Sequence, residues 1–193
     1  LEVLESLLEH EDVGADARAA ALTHFDAVSD TASMARILAM SAQLTTGDEK
    51  VSLLLRVSAL HGELGNPDAG LEAALEALRV RPHNSEVREL AERWAAERGA
   101  WSDLIDAYAT AASEEADPES AAKIGLRVAQ ILALQLGENE SAAEWLARVI
   151  DVIPEDADAL ELLHQLYEAL GRWDDLIGVI DREVAVATSD ESR

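Results

Sequence analysis

The sequence contains no cysteine. Disulfides, thiolate metal sites and a cysteine nucleophile are therefore excluded. The absence fits a reducing compartment, and the cytoplasm is the expected location. Aromatic residues make up only 4% of the chain, so the core must be built from Leu, Ala, Val and Ile, which suits closely packed helices. Four prolines and ten glycines leave long stretches free to run as uninterrupted helix. Positive charge is scarce: 15 basic residues face 39 acidic ones, for a net charge of −24. Nucleic acid is excluded as a partner, because its phosphates require cations. Anionic membrane surfaces are disfavoured for the same reason. No apolar run approaches the length needed to insert into a bilayer.

Catalytic constellations are missing as well. There is no glycine-rich phosphate loop and no His-Glu-x-x-His zinc pair. The histidines His10, His24, His61, His83 and His164 are scattered. His61 and His164 fall on expected helices, where a packed or half-exposed histidine is the simpler reading. The acidic pairs Glu155-Asp156 and Asp174-Asp175 read as helix starts or solvated surface, since sequence neighbours on a helix face different directions. No cofactor is expected, and the chain is not expected to be an enzyme.

What the sequence does contain is a repeat. Gly65, Gly99, Gly137 and Gly171 are spaced by 34, 38 and 34 residues, so alternate members lie 72 apart. Leu64 maps to Leu136, Pro82 to Pro154 and Trp101 to Trp173 under the same shift. The segment from Ala100 to Ile105 matches that from Arg172 to Ile177. Apolar residues before Gly171 (Leu160, Leu163, Tyr167, Leu170) and after it (Trp173, Leu176, Ile177, Ile180) recur at helical spacing. Glycine permits a positive φ between two helices. The unit is thus helix, tight turn, helix. Asn66-Pro67 and Asp117-Pro118 look like capping residues before a proline in the first helical position.

These signals predict helices near 51–64, 67–80, 85–98, 101–115, 118–136, 139–152, 156–170 and 173–187. The longer helix at 118–136 accounts for the 38-residue step. Residues 15–28 and 31–44 look like an eroded pair in which Ser29-Asp30 replaces the turn glycine. Residues 1–10 look like the second helix of an earlier unit, and both ends look cut from a longer array. The expected division is 1–49 as degenerate helices, then double repeats at 50–121 and 122–193. Net charge is spread across these parts as −8, −7 and −9. Such even acidity suits either a solvated surface that keeps the chain soluble or a surface for basic partners.

The pattern resembles the tetratricopeptide repeat family, a 34-residue helix pair with a glycine turn. Residues 157–190 carry it through Leu160, Leu163, Tyr167, Gly171, Trp173 and Leu176; residues 123–156 through Leu126, Gly137, Ala142 and Pro154. Residues 51–84 resemble it through Leu54, Gly65, Ala77, Leu78 and Pro82, and residues 85–118 through Gly99, Trp101, Tyr108 and Ala111. The array is similar to those of large bacterial repeat proteins that alternate two repeat types. Five residues after the turn glycine, Gly70, Leu104, Ala142 and Leu176 alternate small with large, so the physical unit reads as a pair of repeats.

The resemblance implies an all-α, right-handed α-α superhelix, a solenoid of antiparallel helix pairs. It implies a non-enzymatic scaffold that binds a protein or peptide on a concave face lined by successive first helices. The implied contact positions are Glu86, Glu89 and Arg93; Ile124, Arg127 and Ile131; and Asp158, Glu161, Gln165 and Glu168. An acidic lining would suit a basic segment, with Arg93 and Arg127 setting its register. Trp101 and Trp173 beside the turns are expected to be packing residues. The alternative is self-association into homo-oligomers through exposed repeat ends, as in a structural segment of a larger assembly protein.

Overall fold

The computed structural model describes residues 11–190, all helices and short turns with no strand among them. The helices fall into two compact units, one ending at Ala100 and one beginning at Trp101. The first unit holds α1 (Glu11–Ala27), α2 (Thr31–Gln43), α3 (Gly47–Glu63), α4 (Pro67–Val80) and α5 (Ser85–Arg98). The second holds α6 (Trp101–Glu114), α7 (Pro118–Ile131), α8 (Asn139–Val152), α9 (Ala157–Leu170) and α10 (Trp173–Asp190). Within each unit every helix packs against the next in the chain. Residues 1–10, read from sequence as an earlier unit's helix, lie outside the described residues.

Helix starts follow the local chemistry. The side chains of Asp30, Asn84, Asp117 and Asp156 accept hydrogen bonds from the backbone N–H three residues on, satisfying donors that a first turn leaves open. Asn66 does not do this. It sits at φ −112°, ψ 75°, and Pro67 opens α4 without a side-chain cap. Helix α3 begins at Gly47 rather than near 51. Its first turn carries Asp48 and Glu49, which favour a helix N-terminus electrostatically but add nothing to the apolar period. The core-facing pattern starts only at Val51.

The turns that follow α1, α3, α5, α7 and α9 use the left-handed conformation. Gly171 has φ +68°, and the N–H of Arg172 reaches back to the Tyr167 carbonyl. The eroded turn between α1 and α2 has the same geometry without glycine. Ser29 takes φ +57°, and the Asp30 N–H bonds the Phe25 carbonyl. The long spacing between Gly99 and Gly137 is absorbed by α7, whose end widens into a π turn over Leu132–Leu136.

The core of the first unit includes Leu38, Leu54, Leu78 and Val87; that of the second includes Leu104, Tyr108, Val128, Leu146 and Leu163, all essentially without solvent contact. Each such side chain contributes about 1.5–3 kcal/mol by leaving water. The surface pairs Arg98–Asp68, Arg81–Asp48 and Arg172–Asp175 are worth about 0–1 kcal/mol each. Apolar burial therefore dominates the packing.

Candidate protein-binding surfaces

Three of the residues implied as contacts lie on α5, the last helix of the first unit. Glu86, Glu89 and Arg93 are all exposed. Their positions follow from Val87, Ala91, Trp94 and Ala95 turning inward on the same helix.

On α7 the structure overturns part of the expectation. Ile124 and Ile131 are only 2% and 3% exposed. They belong to the core and offer no surface to a partner. The repeat resemblance implied them as contacts, but α7 has a wide apolar face that also buries Ala122, Val128 and Ala129. Arg127 is partly buried, and its guanidinium donates to the Gln130 side-chain oxygen at 2.9 Å.

Helix α9 carries the most regular stripe. Asp158, Glu161, Gln165 and Glu168 are exposed and follow one another along one face. The Gln165 side-chain nitrogen lies 3.5 Å from the Glu161 carboxylate. Asp158, Glu161 and Glu168 form no ion pair among the described residues. Asp158 lies in the first turn, where a carboxylate suits the helix dipole. Glu168 lies near the C-terminal end, where the dipole disfavours one, and no basic residue shares that last turn. The opposite face of α9 buries Ala159, Leu160, Leu163, Leu166 and Tyr167, which fixes the direction of the stripe.

His61 and His164 lie on helices, as expected. His164 on α9 meets the Glu183 carboxylate of α10 at 3.1 Å. The Nδ1 of His61 is buried without a hydrogen-bond partner. Of the acidic pairs, Asp156 caps α9 through the Ala159 N–H, and Asp175 pairs with Arg172.

The two repeat-marking tryptophans part company. Trp101 is half-buried, whereas Trp173 is 60% exposed. Trp173 is therefore not a packing residue within the second unit. With Ile177, Ile180 and Val184 it forms an exposed apolar stripe along α10. The buried side of that helix is made by Leu176 and Val179 instead.

Among the described residues no helix is long and apolar enough to cross a membrane. The tetratricopeptide repeat sequence pattern matches residues 159–193, spanning α9, the Gly171 turn and α10. Over these residues the chain is similar to a tetratricopeptide repeat. The fold agrees: a crystal structure of MamA superposes with a TM-score of 0.51 at 14% identity, covering 89% of this chain and 97% of that one. A second MamA structure gives 0.51 at 15% identity, covering 91% and 92%. At this identity the likeness shows the fold alone. No curated protein sequence matches the chain. A tetratricopeptide-repeat fold is typically a scaffold for protein interaction rather than a catalytic one.

Proposed function

We propose that this chain is a non-enzymatic scaffold that holds a basic protein segment against the exposed faces of its first helices. The observation that carries the reading is the α9 stripe of Asp158, Glu161, Gln165 and Glu168, exposed and free of internal ion pairs. Carboxylates left without intramolecular ion pairs on a helix are already in place for lysine or arginine side chains spaced to match. The position of Glu168 adds support, since it costs the helix stability rather than adding to it. Glu86 and Glu89 on α5 offer the same chemistry in the first unit.

The test is charge reversal. A lysine-rich amphipathic peptide is titrated into the chain and into the double variant E161K/E168K, with a thermal melt to confirm that both are folded. Binding weakened at least tenfold is expected at low salt, with a smaller difference at high salt. Equal binding by the folded variant overturns the proposal.

A second reading is favoured by the exposed stripe of Trp173, Ile177, Ile180 and Val184. Two copies could cover these apolar faces against each other. Light scattering over a concentration series decides it, because a chain that stays monomeric throughout has no such contact.

A further inference from the structure

The second unit contains an apolar groove that the first-helix reading does not use. Its floor is Ala121, Ala122 and Gly125 of α7. One side is formed by Ala109 and Ala112 of α6, and the other by Trp145, Arg148 and Val149 of α8. It encloses about 390 Å³, within the usual range of about 300–1,000 Å³ for ligand sites. About two turns of α7 separate Pro118 from Gly125, so the groove runs for roughly 10 Å along the helix, using a rise of about 1.5 Å per residue.

The internal repeat shows what is different about this groove. The π turn adds one residue to α7, so ahead of it the burial pattern matches α3 one position earlier than the 72-residue shift: Ala121 corresponds to Lys50, while beyond Gly137 Arg148 corresponds to Glu76. In the first unit Lys50 and Glu76 form a 2.7 Å ion pair that ties α3 to α4. In the second unit the cation has become alanine and the anion has become arginine. The bridge between α7 and α8 is gone, and the surviving charge has reversed sign. The packing beside it has been exchanged too. Leu54 is replaced by Gly125 and Ala73 by Trp145, and a Cβ on Gly125 would come within 3.3 Å of the Trp145 ring. The indole thus lies directly on α7.

Arg148 is held in place without a counter-ion. Its guanidinium stacks over Trp145 at 4.1 Å from the ring centroid, and its Nε donates to the Glu144 carbonyl. It forms no ion pair among the described residues. The terminal guanidinium nitrogens are therefore available to an outside acceptor, and stacking reduces the freedom they would lose on binding.

We infer that this groove docks a segment of a partner protein that places aliphatic side chains on the alanine and glycine floor and a carboxylate on Arg148. The charge preference is opposite to that of the α9 stripe, so the two surfaces would accept different segments. The inference does not depend on the proposed basic partner.

The test uses two short capped helical peptides of leucine and alanine, identical except that one carries glutamates and the other lysines. Binding to the whole chain is followed by NMR at the Trp145 indole N–H, assigned with W145F, at about 0.15 M salt so that the overall negative charge is screened beyond roughly 8 Å. The glutamate peptide is expected to shift this signal and the lysine peptide to bind at least tenfold more weakly there. R148E and A112L, each checked by thermal melt, are expected to weaken the glutamate peptide at least tenfold, and R148K to retain most of the binding. E161K/E168K is expected to leave it unchanged, which separates this groove from the α9 stripe. An unmoved Trp145 signal, or equal binding of both peptides, overturns the proposal. So does a Trp145 signal that responds only to the chain's own concentration, since the occupant is then a second copy.

Discussion

The indole nitrogen of Trp94 donates a 2.8 Å hydrogen bond to the hydroxyl of Ser58, and that hydroxyl donates in turn to the carbonyl of Gly70, also at 2.8 Å. Ser58 is fully buried on α3, Gly70 lies on α4 and Trp94 on α5. One hydroxyl thus ties together three consecutive helices of the first unit. Replacing Ser58 by alanine strands the indole N–H away from water. Leaving one buried polar group unpaired costs about 1–3 kcal/mol. S58A is therefore expected to lower the urea unfolding midpoint by a corresponding amount, with the slope unchanged. A midpoint equal to the parent's would show that the hydroxyl relay contributes nothing.

Gly70 has a second duty in the same cluster. A Cβ built on it would lie 2.8 Å from the Trp94 ring, closer than packed atoms tolerate. G70A is expected to destabilise by about 1–3 kcal/mol through overpacking. The double variant G70A/W94F should recover part of that loss, because the smaller ring withdraws from the new methyl. Denaturant melts of the single and double variants measure the coupling.

The repeat and its turns were readable because they depend on short-range chemistry. Gly65, Gly99, Gly137 and Gly171 sit where the chain needs a positive φ, and all adopt it. The Ser58–Gly70–Trp94 cluster was only half readable. Gly70 stood out as a small residue after a turn, but nothing local connects it to Ser58 or to Trp94, 36 residues from Ser58. The contact surface divided in the same way. Exposure of the α9 stripe follows from strict periodicity. Ile124 and Ile131 were misplaced because α7 buries a wider face than a single stripe. Trp145 and Arg148 passed unnoticed, although comparing them with Ala73 and Glu76 across the 72-residue shift would have singled them out.

Two glycines flanking the last turn should respond oppositely to the same substitution. Gly171 holds φ +68° between α9 and α10. An alanine there is strained in the left-handed region by about 1–2 kcal/mol. Gly178 lies inside α10, and a Cβ would meet nothing within 4 Å. G178A is expected to stabilise by up to about 1 kcal/mol through helix propensity. Thermal melts of the two variants should move in opposite directions from the parent.

The cap of α7 supplies a pH dependence. The Asp117 carboxyl is held below its ordinary value of 3.8, first by the Ser120 side chain and then by the Ser120 backbone N–H, with Lys123 adding a weaker attraction. Because the folded-state value is the lower one, the ionised cap stabilises the fold fully above the unfolded value. That contribution is lost as pH falls through the folded value. The difference in Tm between the parent and D117N should therefore be largest near about pH 6 and shrink once the pH drops below about 4. A difference that stays constant from pH 6 to about pH 3 would remove the ionised cap from the account.

The tryptophans at 94 and 173 provide the sharpest contrast in stability. Trp94 is 8% exposed and hydrogen-bonded, while Trp173 is 60% exposed. Truncating a buried tryptophan costs about 3–5 kcal/mol, and W94A is expected to lose that much. Surface substitutions commonly fall within about 0.5 kcal/mol of zero. Trp173 begins α10 beside Tyr167 and Arg172, where the guanidinium already stacks on the tyrosine ring at 4.6 Å without its help. W173A should therefore leave the dilute chain's unfolding midpoint almost unchanged. If the α10 stripe mediates self-association, the same substitution abolishes it, and the parent's midpoint alone rises with protein concentration. A large loss of stability for W173A in dilute solution would instead mean that its ring packs within the second unit.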